Sequence, residues 1–181
     1  MVFVMLAEGF EEVEAITTID LLRRAGIEVQ TVSVMGGRMV NGAHGIGVAA
    51  DREAFPEEIS EAEMVILPGG MPGTINLDES AELDTVLRDR AASGKPIAAI
   101  CAAPMVFAHK GLLKGRRATI YSGMEDELRD AVHTEGTVVT DGSIITSKGP
   151  GTAMDFALAI IGFLRGDAAA EEVRKGLLYK E

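Results

Sequence analysis

The sequence predicts an α/β fold in which a mostly parallel sheet carries helices on both faces. Apolar runs such as Val2 to Leu6 and Ile97 to Ile100 have the continuous hydrophobicity of strands that are covered on both sides. Longer segments with helical spacing of apolar residues lie between these runs, so strands and helices alternate along the chain. No repeat, low-complexity tract or long linker interrupts the pattern, and residues 1–181 are expected to form one domain.

The first half of the chain supplies most of the predicted sheet. After the strand Val2 to Leu6, the segment Glu11 to Arg24 starts with acidic residues and ends with arginines before a glycine, which is typical of a helix. Ile27 to Val34 predicts the second strand. The glycines between Gly36 and Asp51 predict a small hairpin excursion. Met64 to Leu67 predicts another strand, which stops at a Pro-Gly-Gly turn.

The second half continues the alternation. Ser80 to Ser93 predicts a helix with a serine cap and a glycine stop, Ile97 to Ile100 predicts a buried strand, and Pro104 to His109 predicts the start of a helix. Ligands bind at the carboxyl ends of parallel strands, so the loops at Gly9, Gly69 and Cys101 are expected at one edge of the sheet. Further strands are predicted at Ala118–Ile120, Val138–Val139 and Ile144–Ser147, and further helices at Ala153–Leu164 and Ala169–Leu177.

Charge and hydropathy exclude several classes of partner. The chain has 17 Lys and Arg against 28 Asp and Glu, a formal net charge of -11, which repels phosphate backbones and makes a nucleic-acid partner unexpected. The apolar N-terminus lacks the positive flank of a signal peptide. The longest later apolar stretch, Ile97 to Ala108, contains a proline and is shorter than the ~18 residues that span a bilayer. A cytoplasmic protein without a membrane partner is expected.

The only cysteine, Cys101, lies where a buried strand turns directly into a helix. This is the form of a nucleophile elbow, in which small neighbours such as Ala102 and Ala103 prevent clashes and the helix N-terminus is expected to lower the thiol pKa. A packed, unreactive cysteine is the alternative. One cysteine cannot form an internal disulfide, and the scattered histidines show no ligand spacing, so no metal is expected.

Two other features could contribute to chemistry at this edge. Gly69 and Gly70 follow a predicted strand, and their backbone N–H groups, together with that of Ala102, could stabilise an oxyanion. Taken alone, the glycine pair favours a plain turn, because such pairs are turn signals in many folds. Glu14 lies in the first turn of the first helix, where most glutamates are solvated. If it instead meets Cys101, a protonated carboxyl could donate a hydrogen bond to the thiolate and transfer protons.

Five ordered motifs resemble the DJ-1/ThiJ/PfpI superfamily, and within it the branch of DJ-1 and YajL. The resemblance extends from about Val2 to Leu178. It implies a flavodoxin-like α/β sandwich of the class I glutamine amidotransferase-like kind, usually a homodimer, with a reactive cysteine on the elbow. The motifs are Glu11-Glu12-Val13-Glu14, Arg23-Arg24-Ala25-Gly26, Leu67-Pro68-Gly69-Gly70, Ala99-Ile100-Cys101-Ala102-Ala103-Pro104 and Ser147-Lys148-Gly149-Pro150-Gly151-Thr152 with Phe156-Ala157-Leu158.

The resemblance assigns roles to individual residues. Cys101 matches the nucleophile, Glu14 its carboxyl partner, and Gly70 with Ala102 the backbone donors. The peptidase branch carries a histidine directly after the cysteine, where this chain has Ala102, so a peptidase is not implied. The resemblance also implies a possible pocket formed by Gly69, Arg24, Lys148, His44 and Tyr121. His44 could border this pocket from a partner subunit. Tyr121 stands where some members of the family carry a histidine.

The resemblance therefore implies a cysteine-dependent enzyme without a cofactor, a glyoxalase or deglycase acting on a small-molecule carbonyl substrate such as methylglyoxal or its adducts. Cys101 would attack the aldehyde and Glu14 would move protons. The alternative is a redox-sensing, stress-protective chaperone in which the same cysteine is oxidised. A third alternative is a member of the fold whose cysteine is inert.

Overall fold

A seven-stranded sheet forms the centre of the protein in a computed structural model that describes residues 1–54, 59 and 61–180. At one edge of the sheet the strands Val138–Asp141 and Ile144–Ser147 pair antiparallel, and all other neighbouring strands in the sheet are parallel. In spatial order the strands are Val138–Asp141 (β10), Ile144–Ser147 (β11), Ile97–Ile100 (β7), Met64–Leu67 (β6), Val2–Leu6 (β1), Val29–Ser33 (β2) and Arg52–Glu53 (β5).

Helices cover both faces of this sheet. The described helices are Glu12–Arg24 (α1), Gly73–Glu79 (α2), Ala81–Ala92 (α3), Pro104–His109 (α4), Ala153–Arg165 (α5) and Asp167–Gly176 (α6), with 3-10 turns at Glu125–Leu128 and Pro150–Thr152. Side chains of a strand alternate between faces. Val4 and Leu6 of β1 therefore pack in one cluster with α1, α5 and α6, and Phe3 and Met5 pack in the other with α2, α3 and α4. The predicted α/β class with helices on both faces is confirmed.

Two small sheets lie outside the central one. Met39–Asn41 (β3) and Gly47–Ala49 (β4) pair antiparallel, which confirms the hairpin predicted between Gly36 and Asp51. Arg117–Ala118 (β8) and Val132–His133 (β9) form a short parallel pair. None of the helices that the structure describes is both long and apolar enough to cross a lipid bilayer.

Several predicted boundaries shift. The second strand is shorter than Ile27 to Val34 because the Ile27 amide donates to Leu22 O (3.1 Å) and thereby caps the C-terminus of α1. The strand predicted at Ala118 to Ile120 occupies Arg117–Ala118. Helix α2 was not predicted, because its N-terminus follows a Pro-Gly-rich turn and its seven residues are too few for a periodic pattern.

The central strands bring three loops to one edge. β1, β6 and β7 are parallel neighbours, so the segments that follow them at Gly9, Gly69 and Cys101 lie side by side. Backbone bonds connect these loops: the Glu11 amide donates to Gly69 O (2.8 Å), and the Gly73 amide donates to Gly9 O (3.1 Å). The edge is therefore held by hydrogen bonds between residues far apart in sequence.

The packing of α5 gives a test of the core. Phe156 is fully buried, whereas Phe163 on the same helix is 42% exposed. We expect Phe156→Ala to lower the free energy of unfolding by about 3 to 5 kcal/mol and Phe163→Ala by at most ~1 kcal/mol, because only the first opens a cavity. Urea titration of both variants measures this. Equal losses would contradict the core assignment.

Candidate active site

Cys101 occupies a strained turn at the end of β7. Its φ is +64°, a conformation that residues other than glycine rarely adopt. The Cys101 amide donates to Ser147 O of the neighbouring strand (2.9 Å), and α4 starts three residues later at Pro104. The thiol is partly buried. This geometry lifts the side chain out at the end of the sheet, as in a nucleophile elbow.

Glu14 points into the protein beside this thiol. Its side chain is fully buried, and Oε2 accepts a hydrogen bond from the Gly69 amide (2.8 Å). Oε1 has no hydrogen-bond partner among the described residues. The Cys101 thiol lies beside the carboxyl group, and the two groups shift each other's pKa. Of the two orientations that the sequence left open for Glu14, the structure has the inward one.

Gly69 allows this close approach. A Cβ at position 69 would lie 2.6 Å from Cys101 Cβ and 2.8 Å from Glu14 Oε2, which is shorter than real contacts. Any other residue would push the acid and the thiol apart. The glycine pair after β6 is thus more than a turn, because one glycine makes room for the Cys101–Glu14 contact and supplies an amide to the carboxylate.

Two backbone amides point at the sulfur, those of Gly70 and Ala102. Gly70 has φ +91°, and a Cβ there would collide with the backbone of Gly9, Phe10 and Glu11. The amide of residue 70 therefore reaches the thiol only because the residue is glycine. Such fixed N–H donors stabilise negative charge on the sulfur or on an oxygen atom of a group that is attached to the sulfur.

The acid and the thiol titrate as a pair. Burial raises the pKa of Glu14 to about 7, although hydrogen bonds from Gly69 and Cys101 oppose the shift. Burial and the charge of Glu14 raise the pKa of Cys101 to about 12, against the amides of Ala102 and Gly70. The expected lowering of the thiol pKa by the helix N-terminus is therefore wrong, because desolvation and the carboxylate outweigh it. The site holds one negative charge, on oxygen or on sulfur, but not two.

A pocket of about 280 Å³ opens above the thiol. Its size suits a molecule of a few heavy atoms, and apart from Glu11 its lining side chains carry no charge. Larger clefts exist elsewhere, such as the one of about 540 Å³ between α1 and α6, but they contain no reactive side chain. The lining residues are Glu11, Gly70, Met71, Cys101, Ala102, Tyr121, Met124 and Pro150.

The other residues matched by the resemblance are not all at this pocket. Tyr121 lines it, with its ring close to Gly149. Arg24 does not line it: it is ten residues beyond Glu14, ~15 Å along α1, and binds Asp20 (2.6 Å). Lys148 does not line it either and pairs with Glu135 (2.7 Å).

His44 lies outside the lining but contacts acidic residues at its rim. Its Nδ1 is 2.9 Å from Glu12 Oε2 and 3.5 Å from Glu11 Oε2. Burial of Glu12 is outweighed by hydrogen bonds from His44 and Ile46, so the pKa of Glu12 falls to about 2, while the Glu12 hydrogen bond raises the pKa of His44. One ligand atom from each of the three residues lies within 4.8 Å of the others, a grouping that sequence spacing did not indicate.

The lining also contains residues that the sequence did not single out. Glu11, Met71 and Met124 come from three separate loops, and only the closure of the sheet edge places them around one sulfur. Glu11 and its neighbour Glu12 are both less than 10% exposed, although acidic residues at the start of a helix are usually solvated.

The raised pKa of Glu14 has a consequence for stability. A carboxyl whose pKa is 4.5 when unfolded and about 7 when folded binds its proton more tightly in the native state. The contribution of Glu14 to the free energy of unfolding is therefore highest below pH 4.5, and it falls by ~3 kcal/mol as the pH rises to 7. We expect the free energy of unfolding of Glu14→Gln, relative to that of the wild type, to rise by about this amount between pH 5 and pH 8. Urea titrations of both proteins measure this difference. His44 contributes equally to the pH dependence of both proteins, so its contribution cancels in this difference. A difference in the free energy of unfolding that does not change with pH would contradict the burial of an ionisable Glu14.

Comparisons with known proteins agree with this geometry. The model of the DJ-1/PfpI family matches residues 1–162. Protein dj-1beta of Drosophila melanogaster is 41% identical over 177 residues, 97% of this chain and 95% of that protein. A protein of Pyrococcus abyssi named as a deglycase is 33% identical over 153 residues, 83% of this chain and 90% of that protein. The structure of oxidised Toxoplasma gondii DJ-1 superposes with a TM-score of 0.93 at 38% identity and covers 99% and 98% of the two chains. The chain therefore belongs to the DJ-1/PfpI family.

Proposed function

We propose that the protein is a cysteine-dependent glyoxalase or deglycase that acts, without a cofactor, on small dicarbonyls such as methylglyoxal or on their adducts. The observation that carries the proposal is the buried Cys101–Glu14 pair with two amides aimed at the sulfur. The small pocket admits a three-carbon substrate. The name of the Pyrococcus abyssi relative supports a deglycase reaction.

The first step would form a carbon–sulfur bond. The Cys101 thiol transfers its proton to the Glu14 carboxylate. The single negative charge thus moves from oxygen to sulfur, and the two groups are never ionised at the same time. The thiolate attacks the aldehyde carbon, and the resulting alkoxide lies near the amides of Gly70 and Ala102. Glu14 then returns the proton to this oxygen, which completes a hemithioacetal.

The second step would move hydrogen between the two substrate carbons. Glu14, again ionised, removes the proton from the former aldehyde carbon to give an enediolate and returns it to the neighbouring carbon, while the hydroxyl proton of the hemithioacetal passes to the neighbouring oxygen. The product is a lactoyl thioester on Cys101. Water cleaves the thioester to lactate and restores the thiol, so the sequence consumes one water and needs no external oxidant or reductant.

Lactate formation from methylglyoxal tests the proposal. We expect Cys101→Ser to abolish it and Glu14→Gln to lower turnover by about 10²- to 10⁴-fold, because glutamine keeps a hydrogen bond but cannot exchange the proton. Glu82→Gln, an exposed position on α3, is the matched control and should leave the rate unchanged. Wild-type protein that forms no more lactate than Cys101→Ser would remove the enzymatic proposal.

A redox role is the second candidate, and the amides around the sulfur favour it. Peroxide would oxidise the thiol to sulfenate and then to sulfinate, releasing one water at each stage, and Gly70 and Ala102 could hold the sulfinate oxygens. A gain of two oxygen atoms confined to Cys101, in protein without lactate production, would support this role as a stress-protective sensor. A reducing compartment such as the cytoplasm suits both roles, because Cys101 must be kept as a thiol.

We also propose that the protein forms a homodimer through the outer face of α1. Val13 and Ile16 on this helix are 52% and 45% exposed, one helical turn apart. Exposed apolar residues on one helix face are typical of an interface. Glu14 lies on the same helix, so association there would border the site.

A charge on this face tests the dimer. We expect Val13→Glu to convert the protein into a monomer in sedimentation velocity, since an unpaired carboxylate would be buried between subunits. Val132→Glu is the control, because Val132 is also a valine with 52% exposure but lies on β9. A wild-type monomer, or equal behaviour of the two variants, would contradict this interface.

A further inference from the structure

A cluster of charged side chains lies at the end of α4 that is remote from Cys101. His109 Nδ1 is 2.6 Å from Asp78 Oδ2, and His109 Nε2 is 3.0 Å from Glu127 Oε2. Only 18% of the His109 side chain is exposed. Lys110, which is buried, binds the other oxygen of Asp78 at 2.8 Å. One imidazole thus connects two carboxylates, and the mechanism above does not use it.

The two carboxylates belong to elements that start at the Cys101 pocket. Asp78 lies in α2, which follows the pocket residue Met71, and Glu127 lies in the 3-10 turn Glu125–Leu128, which follows the pocket residue Met124. Helix α4 packs between these two elements and ends at His109. The bridge through His109 therefore joins the two walls of the pocket on the side away from its opening.

Backbone hydrogen bonds connect the bridge to the pocket. The Tyr121 amide donates to Cys101 O (2.9 Å), the Met124 amide to Tyr121 O (3.0 Å), and the Glu127 amide to Met124 O (2.9 Å). These turns link Glu127 through the backbone to Tyr121 and Met124, which form one wall of the pocket.

We propose that His109 is a positioning residue of the Cys101 pocket. By bridging Asp78 and Glu127 it holds the Met71 wall and the Tyr121–Met124 wall at a fixed separation, so that small carbonyl compounds reach the thiol and bulkier ones do not. The inference rests on the proposed function for the class of substrate. The access of reagents to the thiol can be measured whether or not dicarbonyls are turned over.

The bridge uses both nitrogens of the imidazole ring. Ionised carboxylates only accept hydrogen bonds, so both ring nitrogens act as donors when both contacts form. Other charged groups surround the bridge: Lys110 lies 3.5 Å from Asp84, Arg88 donates to the carbonyl of Lys110, and Arg129 donates to the carbonyl of His109. Loss of either contact frees the wall that it held.

Size-selective alkylation of Cys101 tests the inference. Iodoacetamide is the small neutral reagent and N-cyclohexylmaleimide the bulky one, with each rate divided by the rate on glutathione. We expect Glu127→Ala to raise the bulky-to-small ratio about five-fold, the population shift expected from one lost hydrogen bond of typical net strength at a half-exposed position. Asp126→Ala removes the same charge from the same turn at an exposed position and should leave the ratio unchanged.

Two further variants separate positioning from general loosening. Glu127→Gln should restore the wild-type ratio, because an amide can accept from an N–H or donate to a bare ring nitrogen. His109→Gln, which reaches only one carboxylate, should resemble Glu127→Ala.

The outcomes distinguish this inference from the proposed function. A ratio that is the same in wild type and Glu127→Ala, or that rises equally in Asp126→Ala, would overturn the role of His109. If the wild type turns over methylglyoxal, the kcat/KM for phenylglyoxal relative to methylglyoxal should rise in Glu127→Ala. If it does not, the proposed function is lost, and the alkylation result for His109 stands.

Discussion

The contact between a buried carboxyl group and a cysteine thiol is the constraint on which the rest of this site depends. A fully buried glutamate costs free energy when it is ionised, and a thiolate beside it would add a second charge that the pocket cannot solvate. The pair Glu14 and Cys101 avoids this cost by holding one proton between them. Because the two groups share one proton, its transfer from sulfur to oxygen leaves the net charge of the site unchanged, although the higher pKa of Cys101 keeps the proton on the thiol at rest.

Glycines on the neighbouring loops make this contact possible. Gly69 leaves room for the carboxyl group to approach the sulfur, and Gly70 turns its amide toward it with a positive φ. The strained conformation of Cys101 is held by hydrogen bonds from its amide to Ser147 and from Tyr121 to its carbonyl. The stability contributed by the two hydrophobic clusters offsets the strain and the desolvation, so the cost of the site is distributed over the whole domain.

Acidic residues of the segment 11–14 have three different environments although they are close in sequence. Glu14 is buried beside a thiol and has a raised pKa, whereas hydrogen bonds keep the pKa of Glu12 at about 2. Glu11 lines the pocket. Backbone geometry explains the difference. Glu11 caps α1 in an extended conformation, whereas Glu12 and Glu14 lie two residues apart on the helix and point in directions about 200° apart.

Hydrophobic patterning by itself determined the α/β class, the central strands and the main helices, because continuous apolar runs and helical spacing are local properties of the chain. The motifs around Glu14, Gly70, Cys101 and Ala102 indicated the site through their resemblance to a family. Tertiary structure alone decided which way Glu14 points, that the thiol pKa rises, that Arg24 and Lys148 lie elsewhere, and that His109 bridges Asp78 and Glu127. These outcomes depend on distances between residues that parallel strand pairing brings together. Burial sets the pKa values, and it depends on residues that are far away in the sequence.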